Sequence, residues 1–152
     1  MITNLAGRSI VKRSESLRLQ AYQDDCGVWT IGWGHTGGVV PGSTITTEQA
    51  DAFLAADMAH AETGVWTRVG SCPTSSNQFS AMVSLAYNIG IGAFATSTVL
   101  HRHLAGLFLS AADGFLWWDK EHVDGALVES RGLLARRQAE RALYLLADVA
   151  EV

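Results

Sequence analysis

The period of the hydrophobic positions changes repeatedly along the chain, and each change marks an element. Asn4 to Arg13 has a helical pattern, with Thr3 or Asn4 as candidate cap. After Glu15 the pattern switches to alternation, Leu17, Leu19 and Ala21 against Arg18, Gln20 and Tyr22, the period of a half-buried strand. Gln23-Asp-Asp-Cys-Gly27 predicts a turn, because Asp bonds nearby backbone and Gly accepts positive φ. Val28 to Trp33 returns as a second strand, with Trp29, Ile31 and Trp33 on one side and Thr30 on the other. Val39-Val40, before Pro41-Gly42, predicts a short third strand, and six of the fifteen glycines lie between Gly27 and Gly42. That density describes a small, tightly turned sheet.

Beyond it the pattern is helical. Thr46 and Gln49 form a capping-box pair ahead of a stripe, Phe53, Leu54, Met58, Ala61 and Val65, which predicts a long helix to about Arg68. Gly70 to Ser76 is rich in helix breakers. Phe79, Met82, Val83, Ala86 and Tyr87 predict a helix from about Asn77 to Gly90. Ser97 caps the next, to about Leu104, and Ser110 is expected to start another through Trp117-Trp118. Asp119 to Gly132 is polar and predicts a loop. A last helix is expected from about Leu133 to Val149, with Ala139, Ala142, Leu143 and Leu146 inward and Arg136 and Glu140 paired on its outer face.

These elements predict an α+β, mainly helical fold, with a small antiparallel β-hairpin lobe joined by a long helix to a helical C-terminal lobe. The expected organisation is one catalytic domain over 1–152. Its β-containing lobe covers about 14–46, its connecting helix about 47–68, and its helical lobe about 75–150 together with the N-terminal helix.

Composition narrows the function. Apolar residues make up 48% and charged residues 17%, which describes a globular chain able to bury a core. A formal net charge of −4 argues against nucleic acid as the main partner. No signal peptide or transmembrane segment is legible. Between Glu129 and Glu151 four basic residues face four acidic ones, so the last helix lacks the cationic face of a membrane-disrupting peptide. Cys26 and Cys72 lack metal or redox spacing and are expected as free thiols.

The chemistry on offer centres on carboxylates. Glycoside hydrolysis needs one carboxylic acid to protonate the leaving oxygen and a second carboxylate to activate water or attack carbon, each in its own environment. Glu15 follows a helix and precedes an apolar strand, whereas Asp24 sits in a polar turn. On pattern alone Glu15 is also a helix-end surface residue, and Asp24-Asp25 an ordinary turn. Other constellations are weaker. His101 and His103, two apart on a helix, face different directions and cannot chelate one metal together. No GxSxG elbow is present. Trp29, Trp33, Trp117 and Trp118 have faces that stack on sugar rings, although packing is the commoner fate of any one.

The stretch Glu15-Ser-Leu-Arg-Leu-Gln-Ala-Tyr-Gln-Asp24-Asp-Cys-Gly27-Val-Trp-Thr30-Ile-Gly-Trp-Gly-His35 closely resembles the catalytic motif of phage-type lysozymes. These are the endolysins of glycoside hydrolase family 24, which include the T-even phage lysozyme. The motif reads Glu, eight residues, Asp or Cys, five residues, Thr, and falls here on Glu15, Asp24 and Thr30. Ser84-Leu-Ala-Tyr-Asn-Ile-Gly90, Gly92-Ala-Phe94 and Gly132-Leu-Leu-Ala-Arg-Arg-Gln-Ala-Glu-Arg-Ala-Leu-Tyr144 resemble later segments of the same family. Ser16 departs from the family's usual Gly after the catalytic Glu. Spacing alone selects Asp24 over Asp25, and a one-residue shift of the hairpin would reverse that choice.

The resemblance implies a peptidoglycan muramidase (endolysin) that hydrolyses the β-1,4 bond between N-acetylmuramic acid and N-acetylglucosamine, with inversion, during host cell lysis. Glu15 would be the general acid, Asp24 would activate water and Thr30 would hold it. Asn88, Trp33 and Arg137 are the expected substrate contacts, one of the paired arginines, Arg137 ahead of Arg136, also reaching Glu15, and His35 is expected to steady the hairpin near the site. No metal and no cofactor are expected. The expected partners are peptidoglycan glycan strands and a holin-type membrane protein for release, with a monomeric enzyme and no nucleic acid. It would wait in the host bacterial cytoplasm and act on peptidoglycan in the periplasm, without a separate wall-binding domain. A lytic transglycosylase and a non-catalytic peptidoglycan-binding domain of the same fold are the alternatives.

Overall fold

The computed structural model describes residues 1–148. The expected Val149 end of the last helix lies outside them. Among the described residues the chain is mainly helical with two antiparallel hairpins, in the order α1 (Leu5–Ser14), β1 (Arg18–Gln23), β2 (Trp29–Gly32), α2 (Thr47–Val69), α3 (Ser76–Ile89), α4 (Ile91–Ala95), α5 (Thr98–Leu104), α6 (Phe108–Phe115), β3 (Lys120–Val123), β4 (Ala126–Glu129) and α7 (Arg131–Leu145). It forms two compact units, a hairpin unit of 15–60 and a helical unit of 1–14 with 61 onward; α2 runs through their boundary.

In the hairpin unit β1 and β2 pair with Arg18 opposite Gly32, Tyr22 opposite Thr30 and Gln23 opposite Trp29, with a bulge between Arg18 and Tyr22. The third edge lies at Ser43–Ile45 rather than at Val39-Val40. Pro41 and Gly42, the latter at φ 81°, form the turn that closes with Ser43 N–H on the Val40 carbonyl at 3.2 Å. The chain then returns along β1, with Ala21 N–H on the Ser43 carbonyl and Ile45 N–H on that of Leu19. Thr46 and Gln49 make both bonds of the capping box at the head of α2. Ile31, Ala50 and Leu54 are buried in this unit, while Leu19 of the expected inward stripe is exposed.

The helical unit is built on α3, whose Phe79, Met82, Val83 and Leu85 are inaccessible to solvent, with α1 and α7 packed against it. Asn4 caps α1 through its Oδ1 on Gly7 N–H. Ser75 and Gln78 make a capping box on α3, and Asp148 accepts from the next two amides, Ser76 and Asn77. Ser97 caps α5 as expected. Two elements differ from expectation. Helix α6 begins at Phe108, not Ser110, with Leu107 at its head and no side-chain cap. The segment expected as a loop over 119–132 contains the β3–β4 hairpin, whose two-residue turn puts both Asp124 (φ 50°) and Gly125 (φ 79°) in the left-handed region.

The last helix contradicts its sequence pattern most clearly. Its buried face is Arg136, Arg137, Glu140, Leu143 and Tyr144, whereas Ala139, Ala142 and Leu146 are exposed. Arg136 and Glu140, expected outside, are 4% and 0% exposed. They meet Ser84 of α3 there. Its hydroxyl donates to Glu140 Oε1 at 2.6 Å, Arg136 donates to the Ser84 carbonyl, and Arg137 Nε lies 2.8 Å from Glu140 Oε2. Burial pushes the Glu140 carboxyl above its ordinary range, against the opposing pull of the Arg137 and Arg136 guanidiniums and the Ser84 hydroxyl.

His103 is also buried and titratable. The Thr74 hydroxyl donates to the Cys72 carbonyl and therefore accepts from His103 Nε2 at 2.8 Å. His103 Nδ1, left as acceptor, takes the Tyr144 hydroxyl at 2.6 Å. The ring is held neutral, and burial lowers its pKa from 6.5 to about 4. The unfolded chain binds this proton more readily. Stability is therefore fully present above pH 6.5 and is expected to fall by at most about 3 kcal/mol as pH drops from 6.5 to about 4. Urea melts across that window should show the loss, and His103→Gln should flatten it; an equal slope in the variant would assign the loss to other groups.

Candidate active site

The hairpin turn is held by one side chain. Asp24 Oδ1 accepts the backbone N–H groups of Cys26 at 2.9 Å and Val28 at 2.8 Å. The Asp24 carbonyl accepts Gly27 N–H, and Asp24 N–H returns to the Val28 carbonyl at 3.0 Å. This is the Asx turn that an Asp ahead of a Gly favours. Two residues on, the buried Thr30 donates its hydroxyl to the same Val28 carbonyl at 2.9 Å. The Asp24 backbone N–H and the Thr30 hydroxyl, separated in sequence, are thus fastened to one carbonyl, that of Val28. Asp25 and Cys26 are exposed at the tip.

Glu15 is half-buried and directly follows α1. Its charge acts on the hairpin through Tyr22. The Tyr22 phenol is pushed above its usual value by burial first and then by Glu15, with Asp24 and Asp25 adding and Arg18 opposing. Arg18 lies over the Tyr22 ring, 4.6 Å from its centroid. The hairpin unit therefore gathers Glu15, Asp24 and Asp25 around one strand, in a field that Arg18 partly offsets.

Behind the turn, His35 exchanges both backbone hydrogen bonds with Ile31 at 2.9 Å. Its ring bonds Asp57 Oδ2 through Nδ1 at 2.7 Å and the Gly37 carbonyl through Nε2 at 2.9 Å, and stacks on Phe53 at 4.4 Å. Trp33 donates its indole N–H to Asp51 at 2.9 Å. Asp51 and Asp57 carry no motif, and only the tertiary pairing of α2 with the hairpin segment reveals them.

Asn88 and Arg137 belong to the helical unit. Asn88 is exposed near the end of α3. Arg137 is not open to solvent: its side chain is wholly buried with Glu140. Cys26 and Cys72 are both free. Among the described residues no group of three or more His, Cys, Asp and Glu is arranged to hold a metal ion.

The profile of the phage lysozyme family matches residues 12–140, which includes the turn, Thr30, His35, Arg136 and Arg137. The chain belongs to that family. It is 44% identical over 138 residues to the endolysin of Acyrthosiphon pisum secondary endosymbiont phage 1, covering 91% of this chain and 94% of that one. Among solved structures it resembles the endolysin of Escherichia coli O157:H7 phage FAHEc1, at 40% identity and TM-score 0.87, over 95% of this chain and 94% of the other. It also resembles the muramidase domain of SpmX from Asticaccaulis excentricus, at 38% identity and TM-score 0.88, over 95% and 97%. The α+β, mainly helical lysozyme fold is thus shared with proteins of phage and bacterial origin.

The half-buried His35–Asp57 contact gives a direct check on the hairpin's support. Asp57→Asn is expected to cost about 1 kcal/mol of unfolding free energy in urea melts. The loss should vanish in a His35→Gln background, and additive losses would show that the pair contributes nothing of its own.

Proposed function

We propose that the chain is a peptidoglycan muramidase, a glycoside hydrolase family 24 endolysin acting as one catalytic domain. It cleaves the β-1,4 bond between N-acetylmuramic acid and N-acetylglucosamine with inversion. The observation that carries this is the attachment of the Asp24 carboxylate to the Val28 N–H and of the Thr30 hydroxyl to the Val28 carbonyl, in a hairpin that also feels the charge of Glu15. A carboxylate and a hydroxyl fixed in that way suit the task of binding and activating one water.

In the proposed reaction Glu15 donates its proton to the glycosidic oxygen as the bond to the anomeric carbon breaks. Asp24 takes a proton from the attacking water and offsets the developing positive charge on the sugar. Thr30 holds the water. Asn88, exposed on its helix, and Trp33 are proposed to contact the glycan. Arg137, buried against Glu140, fits a supporting place better than a glycan contact. His35 is proposed to hold the hairpin through Asp57. The chemistry proposed needs no metal and no cofactor.

The proposed setting is lysis from within. A monomeric enzyme, made in the host bacterial cytoplasm, is released by a holin-type membrane protein and acts on peptidoglycan in the periplasm. No helix among the described residues is long and apolar enough to cross a membrane.

Digestion of purified peptidoglycan, with the sugar ends identified by mass spectrometry, tests the assignment. Wild-type protein should yield reducing N-acetylmuramic acid ends, and Glu15→Gln should lower their rate of formation by a factor on the order of 100 or more. Anhydro ends, lighter by one water, would replace hydrolysis with a lytic transglycosylase reaction. Absence of cleavage by folded wild-type protein would leave a binding domain.

A further inference from the structure

Within the hairpin, Val28 meets both proposed water-activating residues, and it does so through its backbone. Its N–H donates to Asp24 Oδ1 at 2.8 Å, and its carbonyl accepts both Asp24 N–H at 3.0 Å and the Thr30 hydroxyl at 2.9 Å. Its side chain is 43% exposed. Cys26 N–H supplies the second bond to Asp24 Oδ1. Among the described residues no hydrogen bond occupies Asp24 Oδ2.

We propose that Val28 is a positioning residue whose backbone N–H and carbonyl, on the two peptide groups that flank its Cα, divide the labour of the site: the N–H anchors Asp24 by Oδ1 and reserves Oδ2 as the base, and the carbonyl makes the Thr30 hydroxyl an acceptor toward the attacking water. The proposal rests on the muramidase reading above and adds the assignment of oxygens and protons. A carbonyl can only accept, so the Thr30 proton is committed to Val28 and the remaining lone pairs on Oγ1 face a donor. A water there gives one O–H to Thr30 Oγ1 and the other to Asp24 Oδ2, and its lone pair is directed at carbon. When that oxygen bonds the anomeric carbon, the proton bound for Asp24 transfers to Oδ2. The carbon–oxygen glycosidic bond breaks, and the leaving oxygen takes the Glu15 proton. Asp24 ends protonated and Glu15 ionised, and exchange with solvent restores both. Anchoring Oδ1 also spares the carboxylate a rotation that would swap its two oxygens during turnover.

The test replaces Val28 by its α-hydroxy acid, which deletes one N–H and leaves the side chain in place. On peptidoglycan fragments kcat per folded molecule should fall by about tenfold to a hundredfold with KM unchanged, and the same replacement in Asp24→Asn should cost nothing further. The ester also weakens the Gly27 carbonyl, which accepts from Gln23 Nε2 at 3.1 Å, and Gln23→Ala controls for that change. A second ester, at Trp29, weakens the Val28 carbonyl and should lower kcat only while Thr30 keeps its hydroxyl, with Thr30→Val as the background; it keeps the test open where the first ester does not fold. Unchanged kcat in a folded ester protein, or an equal loss in the Asp24→Asn background, would overturn the proposal. Full activity of Asp24→Asn itself would instead overturn the underlying assignment of Asp24 as base.

Discussion

The hydrogen bonds from Cys26 and Val28 to one oxygen of Asp24 set the geometry on which the candidate site depends. They close the turn, and the turn sets the register in which Tyr22 faces Thr30 and Gln23 faces Trp29. A slip by one residue would send Thr30 to the opposite face of the ribbon. An isolated two-stranded hairpin is marginal in water. This one is reinforced by the return of Ser43–Ile45 along β1 and by the exchange between Ile31 and His35, whose ring is held by Asp57. The carboxylate proposed as the base is therefore also the group that shapes the turn carrying it.

The helical unit handles charge in the opposite way. Glu140 and its two arginines are removed from water and shared with Ser84, so their positions are fixed by hydrogen bonds in a low-dielectric interior. Such clusters are poor evidence of net stabilisation, because desolvation of the ions offsets their attraction. What the cluster does provide is direction: it orients α7 on α3 through polar contacts that aliphatic packing alone would leave less specified. Arg137 thus enters as part of this framework.

Much of the hairpin unit was legible because its signals are local. Asp followed by Gly names a turn, and Thr46 with Gln49 names a helix start, since each bond is made within a few residues. The third edge was misplaced because Val39-Val40 has strand propensity but precedes a Pro-Gly turn, and the tertiary partner of β1 lies after that turn. The β3–β4 hairpin escaped because its strands are exposed on both faces, so there was no alternation of apolar and polar residues to read. Asp124-Gly125 was its one clear mark. Burial of Arg136 and Glu140 could not be read from helical periodicity, which assigns charges to solvent; their hydrogen-bond partner Ser84 lies far away in sequence. Of the candidate site, the motif positions were visible from resemblance, whereas Asp57 and the Val28 peptide needed the fold.

The central claim is that Asp24 and Thr30 deliver water to the face of the sugar opposite the departing oxygen. Proton NMR of the reducing end at the earliest times of digestion, before the anomers equilibrate, tests it most directly. Single-displacement attack on a β-linked sugar should release the α-anomer first. First appearance of the β-anomer would mean retention through two displacements, and a water held between Asp24 and Thr30 would not be the nucleophile that breaks the glycosidic bond.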